Sequence, residues 1–442
     1  MASKKRNKTL KIKLIAFVVL VVVCAVALVF TNPIEKAFKI GPYTANASVD
    51  VSVVNACDLR VHYINMGQAD ATLIELPDGT KMLIDAGNSK DEDGTGFFAY
   101  LEGDLNITTL DYLILTHCDQ DHVGLMPEVL QKFEVKNIYR PFQIACSSTG
   151  TAIEEEDLKG YVNQAKNATN LDYCEFIRKA YVETYTDSEL GEMPAKVFVT
   201  NDAMTLGTGA IVSTDTEHSF TVNFYAPLAI TGELVTENNK TIGKPVKSYT
   251  ENNNGSPIIL LTYLGQKFLF TGDAEGKVEN DFLTRYENNV VVKNAFANIG
   301  VYQAGHHGSD SSSKAKFLAF INPTYTVVSC GKNNSYNHPS PDFVQRWKAQ
   351  IETQGVNRKQ DELLRTDINE TIIFGVQDDG TLCFVCGVNP SKFILRWSYI
   401  VGSFFIIGSL AIIFVKINHK NGVKTAENIY KATKKAKKIS KR

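Results

Sequence analysis

The segment "LDYLILTHCDQDHVGLMPEVLQKF" (110–133) limits the fold more than any other part of the chain. An apolar run with the length of a buried strand ends at Thr116, and helix-patterned residues resume at Val123. Between them lie four metal-capable side chains, His117, Asp119, Asp121 and His122. A strand that ends in such a cluster and then feeds a helix is a building unit of α/β folds, where ligands gather at the strand ends.

The arrangement recurs. "FTGDAEG" puts Asp273 at the end of an apolar strand, "AGHHGSDSS" puts His306 and His307 after another, and "NNSYNHPSP" puts His338 after a third. Five of the eight histidines therefore sit at predicted strand ends, where chance would scatter them. Elsewhere, from Leu59, "LRVHYINM" and "ATLIELPDGTKMLIDAG" read as strands joined by turns, and the order strands-then-helices appears twice along the chain. Two sheets packed face to face with helices outside satisfy that order. Residues 152–186 read as an acidic helical insertion over one face. "CFVC" (383–386) alternates like a strand, so its cysteines are expected in the core, and Cys118 is expected to pack beneath the metal-capable loop.

Charge is unevenly placed. Residues 1–13 carry six basic residues, and 416–442 carry ten with one acid, Glu427. Setting these sixteen aside from the 46 Lys and Arg, and Glu427 from the 48 Asp and Glu, leaves 30 basic and 47 acidic residues between 14 and 415, a net of -17. A body this acidic does not suit a general nucleic-acid binder, although a local basic groove is compatible with it. The basic ends flank two uncharged apolar runs, 14–30 and 397–415, each near the length of a membrane-crossing helix. They predict a basic cytoplasmic N-terminus (1–13), a signal-anchor span (14–30), a linker (31–56), a catalytic domain (57–390) outside the cell membrane, a second span (397–415) and a basic cytoplasmic tail (416–442). Cleavage of the first span as a signal peptide is the alternative, with Ala45 and Ala47 as the small residues.

Taken together, the clusters resemble the metallo-β-lactamase fold superfamily. The superfamily loop HxHxDH reads "HCDQDH" here, with Asp119 where the second His usually stands. That form is similar to the ComEC-like branch, named for a DNA-uptake channel protein. "VHYINMGQADATLI", "MLIDAG", "FLFTGD", "GHHGS" and "NNSYNHPSP" follow that branch's motifs in order, over residues 58 to 388. Departures are Ala69 for a Gly, Asn337 and Ser340 around "HP", and no histidine after "FTVNFYAP" where a third metal histidine belongs. His218 precedes that strand and is expected on a surface loop. The branch's multi-span membrane domain has no counterpart, so a catalytic domain tethered by two anchors is expected.

The resemblance implies an α/β fold, an αββα four-layer sandwich, with a transmembrane helix at each end. It implies two divalent ions, Zn or Mn, able to clamp a scissile group and activate a shared water. His117 and Asp119 would hold the first, Asp121 and His122 the second, and Asp273 both, with either His306 or His307 completing the set. Asp121 would orient the nucleophile. His338 would protonate the leaving oxygen or stabilise transition-state charge, and His307 is counted with them as catalytic. Asp70 and Asp85 would hydrogen-bond the ligating histidines. Lys332 and Asn334 are weaker candidates for phosphate contacts. Replacing an imidazole by Asp119 makes the donor set richer in oxygen, which suits Mn²⁺ better than an all-imidazole set does.

The expected function is an extracytoplasmic metal-dependent phosphodiesterase or nuclease related to DNA uptake. Its substrate would be DNA, RNA or a cell-wall polymer, and its second partner the lipid bilayer. Hydrolysis of lipid phosphodiesters, carboxylic esters or lactams is the enzymatic alternative, and an inactive membrane-anchored binding module is the non-enzymatic one.

Overall fold

The computed structural model describes residues 50–88, 94–141, 171–201, 204, 210–213, 215, 217–227, 235–237, 240–242, 252–353, 363–388, 422, 423, 425 and 427–433. The chain divides into two units, Met1–Tyr43 with Phe393–Arg442, and Thr44–Lys392. The second unit carries the fold. Its strands are β1 (Leu59–Tyr63), β2 (Thr72–Glu75), β3 (Lys81–Ile84), β4 (Thr109–Ile114), β5 (Glu134–Arg140), β6 (Thr184–Asp187), β7 (Gly191–Pro194), β8 (Lys196–Val199), β9 (Ile211–Val212), β10 (Phe220–Phe224), β11 (Val235–Glu237), β12 (Lys240–Ile242), β13 (Ile259–Tyr263), β14 (Gln266–Phe270), β15 (Val301–Gln303), β16 (Tyr325–Val328), β17 (Leu363–Arg365), β18 (Thr371–Val376) and β19 (Leu382–Val388).

An eight-stranded sheet runs β19-β18-β1-β2-β3-β4-β5-β8, and a seven-stranded sheet runs β17-β16-β15-β14-β13-β10-β9. Both are mixed. β3, β4, β5 and β8 are parallel in the first, as are β14, β15, β16 and β17 in the second, while the remaining pairs are antiparallel.

Side-chain alternation places the layers. Val61, Tyr63, Ile74, Ile84 and Ile114 from the first sheet meet Phe224, Leu261, Phe268, Phe270 and Val301 from the second in one buried cluster. The intervening residues Leu73, Leu83 and Leu113 face the other way, onto Phe97, Leu101, Val129 and Phe176 of helical segments. On the second sheet, Leu260, Leu269 and Tyr302 turn outward onto Phe282, Phe317 and Phe343, from the helices Gly276–Tyr286, Ala315–Ile321 and Pro341–Thr353. The result is helix, sheet, sheet, helix.

Three expectations need correction. No helix among the described residues is long and apolar enough to cross a membrane, which overturns the two-pass membrane assignment. The apolar runs 14–30 and 397–415 lie outside the described residues. Second, the stretch assigned to a linker ends in a short helix, Val51–Asn55, whose N-cap Asp50 accepts from Ser52 N. Val54 of that helix and Cys57 beyond it pack on Ile373, Cys383 and Val385 of β18 and β19. Third, 152–186 is not helical throughout. The helix Leu171–Ala180 gives way to β6, because "ETYTD" alternates with period two, and 142–170 lie outside the described residues. That helix is also no mere insertion: Tyr173, Cys174, Phe176, Ile177 and Ala180 are buried in the core of the first sheet's outer face.

Candidate metal centre

The sequence-predicted site residues lie on loops at one edge of the sandwich, Asp70 on the loop between β1 and β2. Asp85 follows β3, Thr116 to His122 follow β4, Asp273 follows β14, His306 and His307 follow β15, and His338 lies on the loop after β16. Backbone hydrogen bonds tie these loops together. Asp70 N donates to Asp121 O at 2.9 Å, Ala86 N to His122 O at 2.9 Å, Gly87 N to Asp70 O at 2.8 Å, and His306 N to Gly272 O at 3.0 Å.

The tips of the side chains converge. Asp273 Oδ1 lies 3.2 Å from His122 Nε2 and 3.8 Å from His307 Nε2, and its Oδ2 lies 3.8 Å from His117 Nε2 and 3.6 Å from His306 Nε2. Asp119 Oδ2 is 3.8 Å from His117 Nε2, and Asp121 Oδ2 is 3.2 Å from His307 Nε2. The structure thus brings His117, Asp119, Asp121, His122, Asp273, His306 and His307 around one point, with Asp273 at the centre. Asp70, His122, Asp273 and His307 form a group whose donor atoms all fall within 4.8 Å of one another. Asp70 approaches the two rings from their Nδ1 edges, at 4.0 Å from His122 and 3.7 Å from His307, whereas Asp273 meets their Nε2 edges.

The Nδ1 atoms are occupied from behind. His122 Nδ1 sits 2.8 Å from Asp85 Oδ2, and His307 Nδ1 lies 3.0 Å from Ser329 O, so both rings carry a proton on Nδ1. Thr116 Oγ1 donates to Asp85 Oδ2 at 2.7 Å and so accepts from His117 Nδ1 at 3.1 Å. His306 Nδ1 lies 2.8 Å from Ser311 Oγ. These contacts turn the Nε2 atoms toward Asp273.

Among the described residues, His117 Nε2 and Asp70 Oδ1 are buried without a hydrogen-bond partner, and His122 Nε2 and Asp273 Oδ1, 3.2 Å apart, face only each other and the rest of the cluster. Leaving one such group unsatisfied costs about 1–3 kcal/mol. Unpartnered and anionic groups crowded into one buried cluster are met together by a cation, so the donor set fits a divalent metal.

The charges agree. Burial and the neighbouring His122 push His117 down to about 3, so its ring is neutral and its Nε2 lone pair open. Burial alone would lower His307, but Asp273, Asp70 and Asp121 outweigh it and raise it to about 10. His122 is held well above the usual imidazole range: burial opposes this, and Asp273 and Asp85 prevail. Asp273 lies well below the carboxylate range, because His122, His307 and His306 overcome its burial. Asp119 is raised to about 7 by burial, against the hydrogen bond from Asn252. Without metal, protons on His122 and His307 balance the carboxylates where a cation would otherwise stand.

His338 lies beside this cluster, with its ring 5.5 Å from His306 and 6.1 Å from His307. Gly331 N donates to Gln68 Oε1 at 3.0 Å, which orients the amide so that Gln68 Nε2 faces His338 Nδ1 at 3.4 Å. Nδ1 is therefore the acceptor, and the ring proton sits on Nε2. Burial, then His307 and His306, lower His338 to about 4, so it is neutral at pH 7. His218 pairs with Asp215 at 2.7 Å, away from the site.

Several contributors escaped the sequence reading. Asn252 donates to Asp119 Oδ1, Ser256 Oγ accepts from Asp273 N at 3.1 Å, Glu275 lies 3.8 Å from His306 Nδ1, and Gln68 orients His338. The signal was the polar run "ENNNGS" placed directly before an apolar strand. It precedes its strand, whereas the other polar clusters of the site follow theirs.

The metallo-beta-lactamase superfamily model matches residues 64–332. The chain belongs to the metallo-beta-lactamase superfamily. Among curated proteins, this superfamily member is 24% identical over 329 residues to ComE operon protein 3 of Bacillus subtilis (strain 168), covering 71% of this chain and 32% of that protein. It is 32% identical over 130 residues to competence protein ComA of Neisseria gonorrhoeae, covering 29% of this chain and 16% of that protein. The chain spans about a third or less of the length of these relatives. They agree with the ComEC-like branch that the motifs resemble. Among solved structures, the metallo-beta-lactamase fold protein YhfI from Bacillus subtilis aligns at 9% identity over 70% of this chain and 95% of that one, with a TM-score of 0.33, too low to carry weight.

Proposed function

We propose that this member of a metal-dependent hydrolase family is a phosphodiesterase working with two divalent ions, Zn²⁺ or Mn²⁺. The carrying observation is the convergence of His117 Nε2, His122 Nε2 and His306 Nε2 on the carboxylate of Asp273, with His117 Nε2 left without a partner. The phosphodiester assignment draws further support from the relatives named for competence, and from Asp119 in the place of an imidazole, which enriches the site in oxygen.

His117, Asp119, Asp121, His122, Asp273 and His306 or His307 would hold the ions, with Asp273 shared. When bound, such ions polarise the phosphoryl oxygens and lower the pKa of water to about 7. The chain does the rest. Asp121, 32% exposed at its side chain, stands at the open side of the cluster, where it would orient the incoming nucleophile. Asp85 and Ser329 O hold His122 and His307 in the tautomer that leaves Nε2 free. His338 serves as a neutral Nε2–H donor to a phosphoryl oxygen. Of the two roles expected for it, stabilising charge suits a ring lowered to about 4, and proton donation does not.

His338→Ala is expected to keep its metal and to lose about 10²–10³-fold in kcat, the range for one lost charge-stabilising donor. The loss should be equal for p-nitrophenyl and alkyl leaving groups. His122→Ala should lose metal as well. Metal content and turnover on both substrate types decide. Rescue of His338→Ala by p-nitrophenolate would restore the proton-donor role, and metal loss in His338→Ala would make it a ligand.

A further inference from the structure

Tyr336 is 66% exposed, yet its ring is not loose. It stacks on His338, with centroids 5.7 Å apart and planes 26° from parallel. His338 in turn stacks on His307 at 6.1 Å and 23°. The three rings form a column that begins inside the metal cluster and ends in an aromatic ring at the surface.

The loop that carries the column is held in place. Asn334 Oδ1 accepts from His338 N at 2.9 Å, and Asn334 Nδ2 donates to Gly331 O at 2.9 Å and His338 O at 2.7 Å. Asn333 and Asn337 take φ of 53° and 57°, a region asparagine tolerates. Gln68 braces the loop from the opposite sheet through Gly331 N and His338 Nδ1. Lys332 stands on the same loop and pairs with Glu370 at 3.5 Å.

We infer that Tyr336 is a stacking platform for the nucleobase next to the scissile phosphodiester, so that the substrate is single-stranded nucleic acid. An exposed ring held in a fixed orientation offers a base its π-face at little entropic cost, and stacking of this kind tolerates any base. Bases within a duplex are already stacked on one another, so an unpaired strand is the one that fits. The inference rests on the phosphodiesterase reading.

The test uses the full chain loaded with Mn²⁺ or Zn²⁺. Three substrates are compared: bis-p-nitrophenyl phosphate, a short fluorescent oligothymidylate, and the same oligonucleotide with abasic positions flanking the scissile bond. KM is measured for each and oligonucleotide binding by anisotropy, in wild type, Tyr336→Ala and Tyr336→Phe. Loss of one base–aromatic stack predicts that Tyr336→Ala weakens oligothymidylate by about five- to a hundredfold. Tyr336→Phe should stay close to wild type, and neither variant should change the abasic oligonucleotide or bis-p-nitrophenyl phosphate. Equal behaviour of Tyr336→Ala and wild type on oligothymidylate, or equal impairment on the abasic strand, overturns the platform while leaving phosphodiesterase activity on bis-p-nitrophenyl phosphate intact. A wild type that cleaves none of the three removes the phosphodiesterase reading and the platform with it.

Discussion

Asp85 orients two histidines of the cluster at once, His122 directly and His117 through Thr116. Such relays were legible in the sequence only as an aspartate after "LI" at a strand end; which ring it would meet depends on a contact spanning 37 positions. The ligand-type residues were easier to find, because His and Asp crowd the strand ends with a frequency chance does not produce. Asn252, Gln68 and Ser256 were not, since amides and hydroxyls are common in loops for many other reasons. The residue scale also yields a pH test. His307 is raised from 6.5 to about 10 in the metal-free fold. A histidine raised in this way adds stability in full below about 6.5, and the gain is lost as pH rises through about 10. Asp119, raised from 3.8 to about 7, acts in the same sense at lower pH: its contribution fades between those values. The metal-free protein should therefore melt at falling temperature from pH 7 to pH 10. Saturating Zn²⁺ should abolish the trend, because binding displaces the proton. Calorimetry with and without metal checks this, and a metal-free Tm that climbs over the same window would show that His307 carries no such proton.

At the scale of elements, the centre depends on how closely two loops approach. The segment after β3 lies against the loop after β4, joined by Ala86 N to His122 O and by Asn88 N to Gln120 O. A Cβ on Gly87 would fall 1.6 Å from Asp121 O, closer than any contact allows. Gly87→Ala must force these loops apart. It is expected to cost about 1–3 kcal/mol of stability, as overpacking does, and to displace Asp121 and His122 enough to weaken metal binding. Gly103→Ala is the control, since a Cβ there meets nothing within 4 Å. Denaturant unfolding and metal stoichiometry of the two variants settle the point, and a Gly87→Ala protein matching the Gly103→Ala protein in both would refute the close packing. The strands of this region were readable from their apolar runs. Residues 184–187 were misread because "RKAYVETYTD" continues the polarity of the preceding helix, and only the period of its last residues marks a strand.

Across the whole molecule, the four layers follow from one alternation repeated in both sheets, with Tyr63, Phe224, Phe268 and Phe270 inside and Leu73, Leu113, Leu260 and Leu269 outside. That much was legible, because period-two patterning assigns faces without knowledge of pairing. Strand order was not, since β1 pairs with β18 more than 300 positions away. The helix Val51–Asn55 was missed for a related reason: five residues are too few to show a helical period, and the helix is held by tertiary contacts with β18 and β19. No described helix has the length and apolarity to span a bilayer, and the apolar runs 14–30 and 397–415 lie outside the described residues. The fold brings ligand-type side chains from the ends of β4, β14 and β15 together, and the metal-dependent phosphodiesterase proposed for them is open to direct test. The most direct measurement is hydrolysis of bis-p-nitrophenyl phosphate by the purified chain, first stripped by chelator and then titrated with Mn²⁺ or Zn²⁺. The account predicts no turnover when stripped, and turnover that rises with added metal to a plateau at about two equivalents per chain. Undiminished activity after stripping, or none at any metal loading, would contradict it.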